Sequence, residues 1–190
     1  MSEVIKKVGL LGGTFDPIHN GHIHVAEAVM QKAELDEVWF IPAGTPPHRN
    51  PPCFSAKDRF KMCELALQDK SKLIACDIEV YKTRPCYTIE TIEALQKQHP
   101  NTKFYWIIGV DAFFNIESWH EYKKLLNEAN FIVVNRDGFE QPKEISGKNV
   151  EFISIPAHDA SATKIRDDFK DYKKDLSPAV LDYITQNKLL

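Results

Sequence analysis

The four cysteines of this 190-residue chain, Cys53, Cys63, Cys76 and Cys86, include no C-x-x-C pair. None of their spacings suits a metal site, so free thiols in a reducing compartment are expected. No apolar run approaches the ~20 residues that a membrane-spanning helix requires. The first seven residues lack the long hydrophobic region that precedes a signal cleavage site, so export is not indicated. From these absences a cytoplasmic address is expected. An excess of positive charge is also missing: 24 Lys and Arg stand against 27 Asp and Glu, for a net charge of −3. That excludes a broadly basic nucleic-acid surface while leaving room for a local basic pocket. There is no internal repeat and no low-complexity tract. What remains, 43% hydrophobic and 27% charged residues, suits one α/β domain spanning residues 1–190 with its own core.

Strand-like apolar runs at 7–11, 37–41, 73–76, 104–108, 131–135 and 150–155 alternate with helical patterns at 21–33, 55–68, 88–99 and 122–127. This order predicts a Rossmann-like, doubly wound, mostly parallel sheet with helices on both faces. A small C-terminal helical segment, about 161–190, follows, with helices at 161–169 and 178–186. Ser55 with Asp58 reads as a helix start, Pro100 ends the third helix, and Pro178 suits a first turn. The proline-rich stretch 42–52 follows the second strand. In open α/β sheets that is where ligands bind, although a stiff surface connection has the same composition.

Residues 12–22, Gly-Gly-Thr-Phe-Asp-Pro-Ile-His-Asn-Gly-His, join the first strand to the first helix. A glycine turn lets backbone N–H groups approach a ligand, and a helix N-terminus favours anions. His19 and His22, three apart at the helix start, can converge on one bound group. The string therefore reads as a phosphate site. Neither G-x-G-x-x-G nor G-x-x-x-x-G-K is present. A zinc site at His19, His22 and His24 is disfavoured, because the spacing lacks both the Glu of H-E-x-x-H and any Cys partner. No protein metal ligands are expected.

The whole string resembles the signature of the nucleotidyltransferases with T/H-x-G-H motifs, His19-Asn20-Gly21-His22 being the tetrad. Ser161-Ala162-Thr163-Lys164-Ile165-Arg166 resembles the I-S-S-T-x-I-R segment of the same superfamily, with Ala160 and Ala162 in place of the commoner Ile and Ser. Between them, residues 41–49, 85–88, 107–111, 118–120 and 134–138 resemble blocks of bacterial nicotinate-nucleotide adenylyltransferases, and the likeness covers essentially the whole chain. It implies transfer of AMP from ATP to nicotinate mononucleotide by direct in-line attack, with release of pyrophosphate and Mg²⁺ accompanying ATP. Nicotinamide mononucleotide, phosphopantetheine, or a catalytically silent nucleotide-binding relative are the alternatives. Ala43-Gly44 and His120 depart from some relatives, which leaves the acid-versus-amide choice open. Oligomeric state is not legible; a homo-oligomer is left open.

By the same resemblance, His19 and His22 are the catalytic contacts. Gly12, Gly13, Thr14, Phe15, Gly109, Asp111, Ser161, Thr163 and Arg166 join them around ATP. Tyr87, Thr88 and Trp119 form the pyridine pocket, with Arg49 and Arg136 near the mononucleotide. Taken singly, Trp119 could pack in the core, and either arginine could be a solvated surface charge.

Overall fold

Along β1 (Lys6–Gly13) the side chains alternate between two buried layers, Val8 and Leu10 on one side and Leu11 on the other. The same alternation recurs in β4 (Thr102–Gly109) and β5 (Asn130–Arg136): Phe104, Trp106, Phe131 and Val133 join the first layer, Ile107 and Ile132 the second. Strands buried on both faces need covering helices on both, which is the doubly wound solution. The structure is a computed structural model. It describes residues 5–45, 51–136 and 149–190, with the side chain of Arg136 outside the described set.

With β2 (Glu37–Pro42), β3 (Leu73–Ala75) and β6 (Val150–Ile155), the sheet has six strands in the order β3-β2-β1-β4-β5-β6. Every pairing is parallel, where the sequence predicted a mostly parallel sheet. One face is covered by α1 (Asn20–Lys32), α2 (Ala56–Leu67), α6 (Ala162–Asp167) and α8 (Pro178–Gln186), through residues such as Ala26, Met62, Ile165 and Val180. The other carries α3 (Thr88–Gln98), α4 (Val110–Phe114) and α5 (Tyr122–Glu128), through Ile92, Phe113 and Leu125.

The helix boundaries follow local chemistry. Ser55 caps α2, its hydroxyl oxygen accepting from the Asp58 N–H at 3.1 Å. Ser177 caps α8, with Pro178 in its first turn. The helix predicted over 161–169 instead stops at Asp167. Asp168 takes φ −142° and ψ 73°, and its carboxylate caps α7 (Phe169–Tyr172) by accepting from Asp171 N–H. A capping residue in mid-segment thus split one expected helix into two. Tyr183 on α8 donates its hydroxyl to Asp58 on α2 at 2.9 Å, fastening the C-terminal segment to the body of the fold. Among the described residues, no helix is long and apolar enough to cross a membrane.

Candidate active site

The strand order reverses between β1 and β4, whose pairing stops at Leu11 and Ile107, short of the carboxyl ends of both strands. A cavity of about 1100 Å³ opens at that point, lined by Gly12 and Gly13 from β1, Ile41 from β2 and Ile107–Gly109 from β4. Ala43, Pro51, Pro52 and Cys53 also line it, so the described ends of the proline-rich stretch do flank the site.

One wall is the turn after β1. Phe15 lies in the left-handed region at φ 50°, a conformation that costs a bulky residue and persists only when its surroundings fix it. Those surroundings are specific. Its ring meets His22 edge-on, with centroids 4.9 Å apart, and Phe40 at 5.5 Å. The next residue, Asp16, accepts through its two carboxylate oxygens from Cys53 N–H and Phe54 N–H, both at 2.9 Å. Thr14 C=O accepts from Arg59 Nη1 at 2.7 Å.

The two histidines have different positions. His22 lines the cavity, and its Nδ1 accepts from the His19 backbone N–H at 3.2 Å. In the neutral ring the proton therefore resides on Nε2, making that nitrogen a donor. His19 is only 8% exposed and is not among the residues lining the cavity; its ring stacks on His22, with centroids 3.7 Å apart. Its Nδ1 is buried and has no hydrogen-bond partner among the described residues. Burial pushes His19 down to about 4, with Asp175 opposing and His158 reinforcing the shift. Burial, then the neighbouring His19, pushes His22 well below the ordinary imidazole value. Both rings are thus neutral near pH 7.

The facing wall comes from α6. Thr163 and Arg166 line the cavity, and Arg166 bonds the Asp16 carbonyl while its Nη1 sits 3.6 Å from the Asp16 carboxylate. The two walls meet closely at Gly21. A Cβ added there would lie 3.0 Å from His19 Nδ1 and 3.4 Å from Ala160 Cβ, so a side chain would press on both segments. Gly109 is different: a Cβ there would meet nothing within 4 Å, so no protein neighbour demands a glycine.

Tyr87, Thr88 and Trp119 line the far end. The Tyr87 ring stacks on His120, with centroids 4.2 Å apart and planes at 28°. Trp119 is half-buried, packing against one core layer while also lining the cavity. Tyr87 is the N-cap of α3 and makes no side-chain cap bond, so no cap side chain covers the N-terminus of that helix beside the cavity.

The remaining expected residues stand apart. Asp111 is exposed on the first turn of α4, and Ser161 is the half-buried N-cap of α6; neither is among the lining residues. Arg49 lies outside the described residues. Arg136 ends β5, and its side chain is likewise outside them. Sequence reasoning missed Trp106, Glu79 and Arg59. Trp106 lines the cavity from within β4, where a strand tryptophan reads as core. Arg59, on an amphipathic helix, reads as a solvated charge, yet it is 1% exposed and bonds three carbonyls. His120 was visible beside Trp119, but its stacking on Tyr87 was not.

Comparison with known proteins gives a consistent result. A family model described as cytidylyltransferase-like matches residues 10–168. A Bacillus cytotoxicus protein named "Probable nicotinate-nucleotide adenylyltransferase" is 41% identical, covering 97% of this chain and 98% of its own. A Clostridium tetani protein of the same name is 38% identical over 92% and 93% of the two chains. Among solved structures, Plasmodium falciparum nicotinic acid mononucleotide adenylyltransferase complexed with NaAD superposes with a TM-score of 0.81 at 25% identity. It covers 97% of each chain.

Proposed function

Since the chain belongs to the cytidylyltransferase-like family and, within it, to the nicotinate-nucleotide adenylyltransferases, we propose that it transfers AMP from ATP to nicotinate mononucleotide. The products are nicotinate adenine dinucleotide and pyrophosphate, a step of NAD synthesis. The observation that carries this reading is one shared cavity at the sheet's switch point. It has a histidine-bearing phosphate turn on one side, Thr163 and Arg166 on the other, and an aromatic pair at its end.

The mononucleotide phosphate attacks the α-phosphorus of ATP in line with the departing pyrophosphate. The attacking oxygen forms the new P–O bond as the bond to the β-phosphate oxygen breaks, so no protein nucleophile is needed. Catalysis then rests on alignment and on donors facing the charge that builds on phosphate oxygens. Gly12, Gly13, Thr14 and Phe15 form the backbone side of the triphosphate site. His22 donates its Nε2–H to a phosphate oxygen; His19 fixes that tautomer through its backbone N–H and backs the ring by stacking. Thr163 and Arg166 bind the triphosphate from α6, with Ser161 at the start of that helix. Gly109, with open space where a Cβ would be, leaves room for the adenosine, and Asp111 lies beside it. Arg49 and Arg136 are the proposed contacts of the mononucleotide phosphate.

At the pyridine end, Trp119 and Tyr87 offer aromatic faces to the ring. The N–H groups at the start of the eleven-residue helix α3, which no cap side chain covers, with the positive end of its dipole, suit a carboxylate better than a carboxamide. That favours nicotinate over nicotinamide. Thr88, at the first helical position, adds a hydroxyl to the same place.

Among the described residues, no group of three or more His, Cys, Asp and Glu is arranged to hold a metal ion. Both oxygens of Asp16 are already committed to backbone N–H groups. These donors do not form a resident cage; they fit Mg²⁺ that enters on the triphosphate, held by phosphate oxygens and water. Its chemistry there is to neutralise phosphate charge. We also read the chain as one catalytic domain acting in the cytoplasm.

Calorimetric titration with nicotinate and nicotinamide mononucleotides side by side tests the substrate assignment. Tighter binding of the acid is expected. Equal or tighter binding of the amide would overturn the assignment to the α3 N-terminus.

A further inference from the structure

Arg59 and Glu79 are two buried, oppositely charged side chains, the first bonded to Thr14 on the cavity wall and the second lining the cavity, and both face the backbone of the same residue. Arg59 is 1% exposed and donates from Nη2 to Gly44 C=O at 3.1 Å, from Nη1 to Thr14 C=O at 2.7 Å and from Nε to Phe54 C=O at 3.1 Å. Burial works against its charge, and nearby Asp16 works in favour of it. Glu79 is 6% exposed and lies on the other side. Its carboxylate accepts from the Thr91 hydroxyl at 2.7 Å and faces the Gly44 backbone N–H. The Thr91 hydroxyl and the Gly44 N–H favour its charged form, while burial pushes its pKa up.

Gly44 therefore has a buried cation bonded to its carbonyl and a buried carboxylate facing its N–H. Its Cα is pressed close as well: an added Cβ would come within 2.2 Å of the Glu79 carbonyl oxygen and 3.7 Å of Cys86 Sγ. The residues beside it connect the two ends of the cavity. Ala43 N–H donates to Gly13 C=O at 2.9 Å, on the phosphate turn, and Thr45 forms a β-bridge with Pro85, two residues before Tyr87. Whatever fixes Gly44 fixes the separation between the triphosphate turn and the pyridine pocket.

We propose that Arg59 and Glu79 form a positioning clamp on Gly44 that sets where the mononucleotide lies relative to ATP. The clamp rests on reading the cavity as the mononucleotide site. Neither residue needs to touch the reacting atoms. The two charges do not form a direct ion pair; they meet through one residue's backbone. Buried charge is expensive and is often replaceable by apolar packing. A buried cation spread over three carbonyls from three segments is better suited to fixing geometry than to supplying stability. Alignment repays the arrangement, because a misplacement of about 1 Å can cost about 10²-fold in rate.

The test compares Glu79→Gln, Gly44→Ala and Arg59→Lys with the unmodified protein, each first checked for native near-ultraviolet circular dichroism. Initial rates then give KM for each substrate, using whichever mononucleotide the unmodified protein turns over. Absence of any turnover there would defeat the functional reading alone, and calorimetric dissociation constants for ATP and the mononucleotide would still test the clamp. Glu79→Gln and Gly44→Ala are expected to raise the mononucleotide value roughly tenfold while the ATP value stays within about twofold. Arg59→Lys is expected to raise both, because it also releases Thr14. Combining Glu79→Gln with Gly44→Ala should do little more than the larger single change, since both act on one residue. The clamp is overturned if the folded Gln and Ala variants lower only thermal stability, or shift both substrates equally. Should Gly44→Ala fail to fold, the split in Glu79→Gln decides the matter, and rescue relative to Glu79→Leu provides the conservative control.

Discussion

Arg166 and Asp16 lie 150 positions apart, yet the guanidinium of the first bonds the backbone carbonyl of the second and sits 3.6 Å from its carboxylate. Through this contact α6 closes against the turn after β1. Asp16 in turn holds Cys53 and Phe54 by their N–H groups, so three distant segments are fixed around one residue. A lysine cannot present the planar fork that serves a carbonyl and a phosphate together. Arg166→Lys is expected to raise KM for ATP about tenfold, with KM for the mononucleotide little changed. Steady-state kinetics with each substrate varied in turn provide the check. Equal rises for both substrates would remove Arg166 from the triphosphate site.

His22→Ala removes the Nε2 donor, together with the ring that Phe15 meets edge-on, so the variant is first checked for native circular dichroism. Loss of a donor that works on developing charge typically costs about 10²–10³ in kcat. The variant should therefore lose turnover far more than ATP binding, as measured by kcat and by a calorimetric dissociation constant. Weakened binding with unchanged kcat would assign His22 to the ground state instead.

His19 predicts an acid sensitivity of the fold. In the unfolded chain its imidazole protonates near 6.5, whereas in the folded protein burial holds it at about 4. Between those values the unfolded state binds more protons, so stability falls as pH drops from 6.5 toward 4. Asp175 moderates the effect; His158 and the adjacent His22 reinforce it. The limiting contribution of His19 is on the order of 3 kcal/mol. Urea unfolding at pH 7 and pH 5 should show a smaller acid loss in His19→Asn than in the unmodified protein. Identical losses would contradict the assignment.

Trp119 separates a packing role from a binding role. It contacts the core with one part and the cavity with another. Trp119→Ala should raise KM for the mononucleotide about tenfold or more, consistent with losing an aromatic contact and its buried area. KM for ATP should change little. A variant that is merely less stable, with both constants intact, would make Trp119 a core residue only.

Much of this architecture was legible beforehand. The six strands were readable because the central ones are apolar runs buried on both faces and edge strand β6 alternates apolar with exposed residues, and helices because Ser55, Pro100 and Pro178 mark their ends. Short elements were not: α4 has five residues, too few for a periodic signal, and Asp168 breaks the helix predicted over 161–169 by capping a new one. Of the residues that the contiguous motifs named, His22, Thr163 and Arg166 line the cavity. Arg59 and Glu79 were not readable, because their partners, three backbone carbonyls and the Thr91 hydroxyl, are brought near only by folding. His19 was read as a direct contact; its burial behind His22 depends on ring orientation, which spacing alone does not contain.

Pyrophosphate release, followed with ATP and, in separate reactions, nicotinate mononucleotide, nicotinamide mononucleotide and phosphopantetheine, tests adenylyl transfer itself. The account predicts turnover with nicotinate mononucleotide, a dinucleotide product by mass, and a clearly lower kcat/KM for the amide and for phosphopantetheine. Turnover with phosphopantetheine in preference to either mononucleotide, or no turnover with any of the three, would contradict it.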